Sequence, residues 1–80
     1  MKAKVYVTLK PSILDPQGKT IAQALRTLGY DAITDVRQGK YFELEVAAGS
    51  AEEALSTASA VADRVLANPV IESYRVEVEE

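Results

Sequence analysis

Strict alternation of polar and apolar residues marks the beginning of the chain. A period of two is typical of a β-strand with one buried face, because successive side chains point to opposite sides of a sheet. The same alternation returns in two later segments. We therefore predict three strands: residues 2–9, with Ala3, Val5, Val7 and Leu9 on one face; residues 41–47, with Phe42, Leu44 and Val46 on one face; and residues 70–78, with Tyr74, Val76 and Val78 on one face.

The segment after the first strand predicts a helix preceded by a long loop. Asp15 and Pro16 are typical of an N-cap and of the first helical position, where the missing N–H of proline costs nothing. Gly29 can take the left-handed conformation that ends a helix, with Tyr30 packed back on the last turn. The apolar residues that recur at helical spacing are Ile21, Leu25 and Leu28.

A second helix is predicted between residues 50 and 68. Ser50 as N-cap and Glu53 three residues later form a capping box. Asn68 and Pro69 end the helix, because proline cannot continue it. Its apolar stripe consists of Leu55, Ala58, Ala62, Val65 and Leu66.

Residues 33–38 predict a further strand, joined to residues 41–47 by a hairpin turn in "RQGK". Its pattern is irregular, because Ile33 and Val36 fall on opposite faces of a strand. We expect either a local irregularity or a strand that is covered on both sides.

The resulting order is strand, helix, strand, strand, helix, strand, in one domain over residues 1–80. Right-handed crossovers would place both helices on one face of an antiparallel sheet. We therefore predict an α+β fold of βαββαβ order, ferredoxin-like or a close relative. Tyr6 and Tyr41 would lie on its open face, where amphipathic side chains suit a contact between subunits. The alternative is a solvated face with two incidental tyrosines.

Composition limits the chemistry that the chain can perform. It has 80 residues with no Cys and no His, which excludes disulfides, an imidazole base and a thiolate nucleophile, and leaves little with which to bind zinc. A domain of this size buries only about 60% of the surface that its unfolded chain exposes. Association is therefore the expected source of additional stability.

Charge and hydropathy bear on the partners. The formal net charge of −3 argues against a broad nucleic-acid footprint, and no apolar run approaches membrane-spanning length. The first ten residues lack the continuous apolar segment of a signal peptide. We expect a cytoplasmic protein that binds neither nucleic acid nor membrane.

Two loop segments are candidate contacts. In "DPQGK" the free N–H groups of a helix start could bind an anion, but Asp15 caps that end and would repel one, so a protein contact is the better functional interpretation. In "RQGK" Arg37 and Lys40 could hold a carboxylate or phosphate of a partner. The structural alternatives are a capped helix that tolerates Gly18 and a solvated turn whose cations hinder edge pairing.

The segment "VTLKPSILDPQGKTIAQALRTLGYDAITDVRQGKYFELEV" resembles the PurS family, the small subunit of phosphoribosylformylglycinamidine synthase. The similarity covers almost the whole chain in one register. The matching pieces are Lys10–Pro11, Leu14–Gly18, Ala24–Leu25, Leu28–Tyr30, Asp35–Arg37, Gly39–Lys40, Glu43–Leu44 and Leu66–Glu72.

The resemblance implies a place in purine biosynthesis. The enzyme complex of this family converts formylglycinamide ribonucleotide to its amidine with glutamine and ATP, and ATP and magnesium are used by the complex. The resemblance further implies a non-catalytic homo-oligomer that bridges a glutaminase subunit and a synthetase subunit and assists ammonia transfer. The candidate partner contacts are then Lys10, Asp15, Gln17, Gly18, Lys19, Arg37 and Lys40, with Tyr6 and Tyr41 for self-association.

Other classes on this fold fit less well. An acylphosphatase would carry glycines and an arginine in the first loop, and a heavy-metal carrier would need two Cys. A small dimeric regulatory module of the ACT type, which binds amino acids at its interface, is the strongest alternative.

Overall fold

The structure, a computed structural model, describes residues 1–79. Within these residues the chain forms three strands and two α-helices. They are β1 (Lys2–Leu9), α1 (Pro16–Thr27), β2 (Gly39–Glu45), α2 (Ala51–Val61) and β3 (Glu72–Glu79), and a π-helical turn, Ala62–Leu66, prolongs α2. The strand order is β2-β1-β3, with β1 antiparallel to both neighbours.

The predicted fold class is confirmed: the chain is an α+β domain with an antiparallel sheet and two helices. The predicted strand 33–38 is the element that differs, because these residues pair with no strand in the described part of the chain. They run back beside α1 instead. The Arg26 guanidinium donates to the Thr34 carbonyl at 2.9 Å, and Ile33 and Val36 offer the sheet no common apolar face.

The core lies under the inner face of β1. Ala3, Val5 and Val7 have no exposed surface, as the alternation predicted. Phe42 and Val76 stand beside Val5 on the neighbouring strands and pack against it while partly buried. The residues that α2 and its π-helical turn bury completely are all alanines, namely Ala54, Ala58 and Ala62, and the buried Ala67 follows directly after the turn. The core is therefore thin, and β1 is its centre.

The helix ends follow the predicted capping chemistry. The Asp15 side chain accepts from the Gly18 N–H at the start of α1. Gly29 has a φ of 96° and the Tyr30 N–H donates to the Leu25 carbonyl, which is the Schellman pattern. At α2 the Ser50 side chain accepts from the Glu53 N–H, but the Glu53 carboxylate accepts from the N–H of Gly49 rather than from that of Ser50.

The two helices pack differently. α2 lies against β1 and β3, whereas α1 has no comparable contact with any strand in the described chain. The molecule measures 50 × 26 × 13 Å, although strands of eight residues span only about 26 Å. α1 therefore stands beyond the sheet instead of beside α2. No helix among residues 1–79 is long and apolar enough to cross a membrane.

Replacement of Val5 by Ala should lower the free energy of unfolding by about 2 kcal/mol, because a fully buried branched side chain loses its packing and leaves a cavity. Val70→Ala is the matched control, since Val70 is 77% exposed and should change stability by less than about 0.5 kcal/mol. Urea denaturation measures both. Equal losses in the two variants would contradict the assignment of β1 as the centre of the core.

Candidate partner-binding surface

Asp15 joins the first loop to the start of β2. It is only 5% exposed. One carboxylate oxygen accepts from the Gly18 N–H at 2.9 Å and the other from the Gln38 N–H at 2.8 Å. These bonds to the Gln38 and Gly18 amides, aided by the nearby Arg37 charge, hold the pKa of Asp15 below its usual value. Both carboxylate oxygens are therefore used to hold the loop in place.

Gly18 allows the helix start to approach the backbone of residues 33–38. A Cβ atom on Gly18 would lie 2.1 Å from the Val36 carbonyl oxygen. Glycine is thus required here by the close approach of two backbones. Gly18 was named from the sequence as a candidate partner contact, and within the chain it permits this intramolecular packing.

Arg37 holds the first loop from the other side. Its Nη2 atom donates to the carbonyl oxygens of Lys10 at 2.9 Å, Ile13 at 3.2 Å and Leu9 at 3.3 Å. A planar guanidinium suits several acceptors at once, which lysine could not serve equally well. Arg37 therefore connects the start of β2 to the loop after β1 and gives that loop a fixed shape.

These bonds define one surface, the loop end, formed by residues 10–19 and 35–40. The structure thus brings together all seven residues that the sequence named as partner contacts, although Asp15, Gly18 and Arg37 serve the loop itself. Gln17 and Lys19 are exposed and Lys10 is half-buried. Neither Lys10 nor Lys19 forms an ion pair within residues 1–79. A polar cleft of about 380 Å³ opens here, with Lys19 and Arg37 among its lining residues.

Lys40 lies beside an acidic residue that sequence analysis did not single out. Its Nζ atom is 3.6 Å from Glu72 Oε2. Glu72 Oε1 also accepts from the Asn68 N–H at 2.7 Å, so Glu72 connects β3 with the loop before it. No local pattern identifies the ion pair, because Lys40 is distant in sequence from Glu72 and the two meet only when β1 pairs with both neighbours. Glu72 therefore compensates part of the Lys40 charge, and Lys40 remains a candidate contact.

The open face of the sheet carries the two predicted tyrosines. Tyr6 and Tyr41 are direct cross-strand neighbours, with ring centroids 5.1 Å apart. The Arg75 guanidinium lies 4.2 Å from the centroid of the Tyr6 ring, in a cation–π arrangement. The register of β1 and β3 places Arg75 opposite Tyr6. Arg75 could therefore have been predicted as a neighbour of Tyr6 if the strand pairing had been known. Tyr41 is 49% exposed. Tyr41, Tyr6 and Arg75 lie side by side across the three strands and form an amphipathic surface.

Ion pairs cover the rest of the open face. They join Lys2 to Glu43, Lys4 to Glu79 and Arg75 to Glu77. The Lys4–Glu79 bond raises the pKa of the lysine and lowers the pKa of the glutamate. Desolvation and the hydrogen bond that Tyr41 donates to Glu43 raise the pKa of the tyrosine. The shifts in pKa thereby favour the charged forms of Glu79 and Lys4 and the neutral form of the Tyr41 phenol.

Comparison with known proteins identifies the family. The model of the PurS family, described as phosphoribosylformylglycinamidine (FGAM) synthase, matches residues 2–80. The chain belongs to the PurS family. The PurS subunit of phosphoribosylformylglycinamidine synthase from Bacillus subtilis is 46% identical over 79 residues, which are 99% of this chain and 93% of that protein.

Solved PurS structures have the same fold. The crystal structure of PurS from Methanocaldococcus jannaschii is 33% identical with a TM-score of 0.90, and the match covers 99% of this chain and 95% of that one. PurS-like architecture also occurs in the structure of PurLQS from Thermotoga maritima, at 33% identity and a TM-score of 0.87 over 95% of this chain and 93% of that one. The family predicted from the quoted motifs is confirmed.

Gly18→Ala should lower the free energy of unfolding by about 1–3 kcal/mol, because the added methyl group overlaps the Val36 carbonyl. Gly49→Ala is the matched control: its nearest neighbour would be Glu53 Oε2 at 3.6 Å, and a change within about 0.5 kcal/mol is expected. Urea denaturation compares them. A stabilised Gly18→Ala protein, as helix propensity alone would give, would refute the close approach.

Acid should destabilise the chain through Asp15. Its lowered pKa means that the ionised form stabilises the fold fully above the ordinary aspartate value of about 3.9 and that this contribution is lost as the pH falls through the lower folded pKa. The urea concentration at the midpoint of unfolding should therefore decrease when the pH is lowered below about 4. In Asp15→Asn the urea midpoint should decrease less steeply with falling pH, and the remaining decrease should be the part due to Glu79. If the variant and the unaltered chain have the same pH dependence, Asp15 does not contribute.

Proposed function

We propose that the chain is the non-catalytic bridging subunit of phosphoribosylformylglycinamidine synthase in purine biosynthesis. In this role it joins the glutaminase and synthetase subunits and assists the transfer of ammonia between them. The observation that carries the proposal is the match to PurS over residues 2–80, together with the likeness of the fold to a chain in the PurLQS structure.

The electrostatics support a subunit without catalytic groups of its own. A general acid or base near neutral pH needs a carboxyl pKa that is raised or a lysine pKa that is lowered. Here the shifts run the other way, since the pKa values of Asp15 and Glu79 are lowered and that of Lys4 is raised. Each of these groups is committed to an intramolecular bond. ATP and magnesium are accordingly assigned to the complex and not to this chain.

A bridge acts by geometry. Ammonia released into bulk water is diluted and protonated, so two active sites held in register gain an effective-concentration advantage. Such a role needs a surface of fixed shape. The loop end meets that requirement, because Asp15 and Arg37 fasten its loop with five hydrogen bonds to the backbone.

We assign the partner contact to the loop end and self-association to the open face of the sheet. Lys10, Gln17 and Lys19 present polar groups on the fixed loop, and Lys40 adds a cation beside Glu72. Tyr6 and Tyr41 offer a self-contact on the open face.

Reconstitution tests the bridging role. The chain is mixed with the glutaminase and synthetase subunits of its host, with and without glutamine and magnesium nucleotide, and analysed by size exclusion. We expect the three proteins to co-elute, and glutamine-dependent activity to require this chain while ammonia-dependent activity does not. A chain that elutes alone in every condition would overturn the proposal. A thermal shift with free amino acids would then favour the ACT-type module, since a bound ligand stabilises the folded state.

The same assay locates the contact. The double variant Lys10→Ala/Lys19→Ala should weaken complex formation by about tenfold, the loss expected from roughly 1.4 kcal/mol of contact energy. Lys2→Ala, at the opposite end of β1, is the control and should assemble normally. Arg37→Ala is a poorer test, because it also frees the loop that Arg37 holds. Equal assembly by all variants would move the contact away from the loop end.

A further inference from the structure

The charges of the chain are distributed unevenly. Four of its nine basic residues belong to the loop end: Lys10, Lys19, Arg37 and Lys40. Only two of its twelve acidic residues, Asp15 and Asp35, belong there. The loop end therefore has a formal net charge of +2 and the rest of the chain one of −5, which together give the overall −3. Such a distribution attracts an acidic partner to one surface and repels it from the others.

Two cations of the loop end keep donors that the chain itself does not use. Lys19 and Arg37 are both exposed and line the polar cleft of about 380 Å³. All three bonds from Arg37 to the loop come from Nη2, and within residues 1–79 its Nε and Nη1 atoms form no hydrogen bond. By contrast, the cations of the open face are paired with glutamates. The cleft therefore offers donors to a group from outside the chain.

The walls of the cleft have a fixed shape. Residues 11–15 form one wall and residues 35–37 the other, with Lys19 between them. The bonds of Asp15 to Gln38 and of Arg37 to Lys10 join the two walls. A site whose shape exists before binding loses little conformational entropy when a partner enters it.

Apolar and acidic groups in the same cleft distinguish a protein segment from a small anion. Leu14 lines the cleft and is 67% exposed, and only a ligand with an apolar part gains from covering it. Asp15 and Asp35 line it too, and hydrogen bonds keep the pKa of Asp15 low, so that it stays ionised. A phosphate ion would face both carboxylates. A peptide can place a carboxylate beside Lys19 and an N–H donor beside Asp35.

We infer that the cleft between residues 11–15 and 35–37 receives an acidic segment of a partner subunit, with a carboxylate of that segment bound by Lys19 and Arg37 and an apolar side chain packed on Leu14. The inference deepens the partner contact named in the proposed function and rests on it. It specifies the chemistry that the partner must present, which is an Asp or Glu beside an apolar residue.

Charge reversal in the reconstituted complex tests the inference. Lys19→Glu should raise the Kd for the partner subunits by about tenfold or more, because two carboxylates would then face each other. Arg64→Glu is the matched control and should change the Kd by less than about twofold. Arg64 is also exposed, lies outside the loop end and forms no ion pair in the described chain. Equal losses in the two variants would show that only net charge matters and would overturn the inference.

Lys19→Glu should fold normally. Lys19 is exposed near the start of α1, where a carboxylate interacts favourably with the helix dipole, and circular dichroism checks the fold. The unaltered complex should also weaken more steeply with added sodium chloride than the complex of the variant, because an ion pair at the surface is screened by salt. Identical salt dependence would count against a carboxylate at Lys19.

Cross-linking supplies a direct readout. A carbodiimide joins an amine to a carboxylate only where the two are in contact, so mass spectrometry of the treated complex should find Lys19 linked to an Asp or Glu of a partner subunit. A complex that forms without this link, and equally well with Lys19→Glu, would overturn the inference and leave the bridging role intact. Failure of the unaltered chain to form any complex would instead overturn the bridging role, and the inference with it.

A free anion is the alternative occupant, and inorganic phosphate tests it on the chain alone. We expect phosphate to raise the Tm no more than sodium chloride of equal ionic strength. A larger rise that Lys19→Glu abolishes would assign the cleft to a small anion and overturn the inference, since a ligand that binds the folded state stabilises it.

Discussion

The structure depends on the pairing of β1 with a strand on each side. Val5 and Val7 are the largest fully buried side chains, and both belong to β1, so the core exists only while Phe42 and Val76 are held beside them. The remaining buried apolar residues are alanines. A core of this kind lets α2 lie close to the sheet but supplies little burial energy, because buried area and not the number of buried residues sets the hydrophobic contribution.

The thin core explains why polar bonds carry so much of the geometry at the loop end. The segments that meet there contribute few buried apolar side chains, and their shape comes from hydrogen bonds made by Asp15 and Arg37. Bonds to charged groups are stronger than neutral ones and are directional. They can therefore fix a loop that packing alone would leave mobile, and a fixed loop suits the partner contact that we propose for this surface.

Local sequence determined the elements and the family. Alternation identified β1, β2 and β3, capping residues marked both helix starts, and Gly29 marked the end of α1, because these signals act over a few residues. Tertiary structure alone decided that residues 33–38 lie beside α1, that Gly18 faces the Val36 carbonyl, that Asp15 and Arg37 fasten the first loop, and that Glu72 lies beside Lys40. Those outcomes depend on partners distant in sequence, whose approach is set by strand register and chain path, and no short pattern records either.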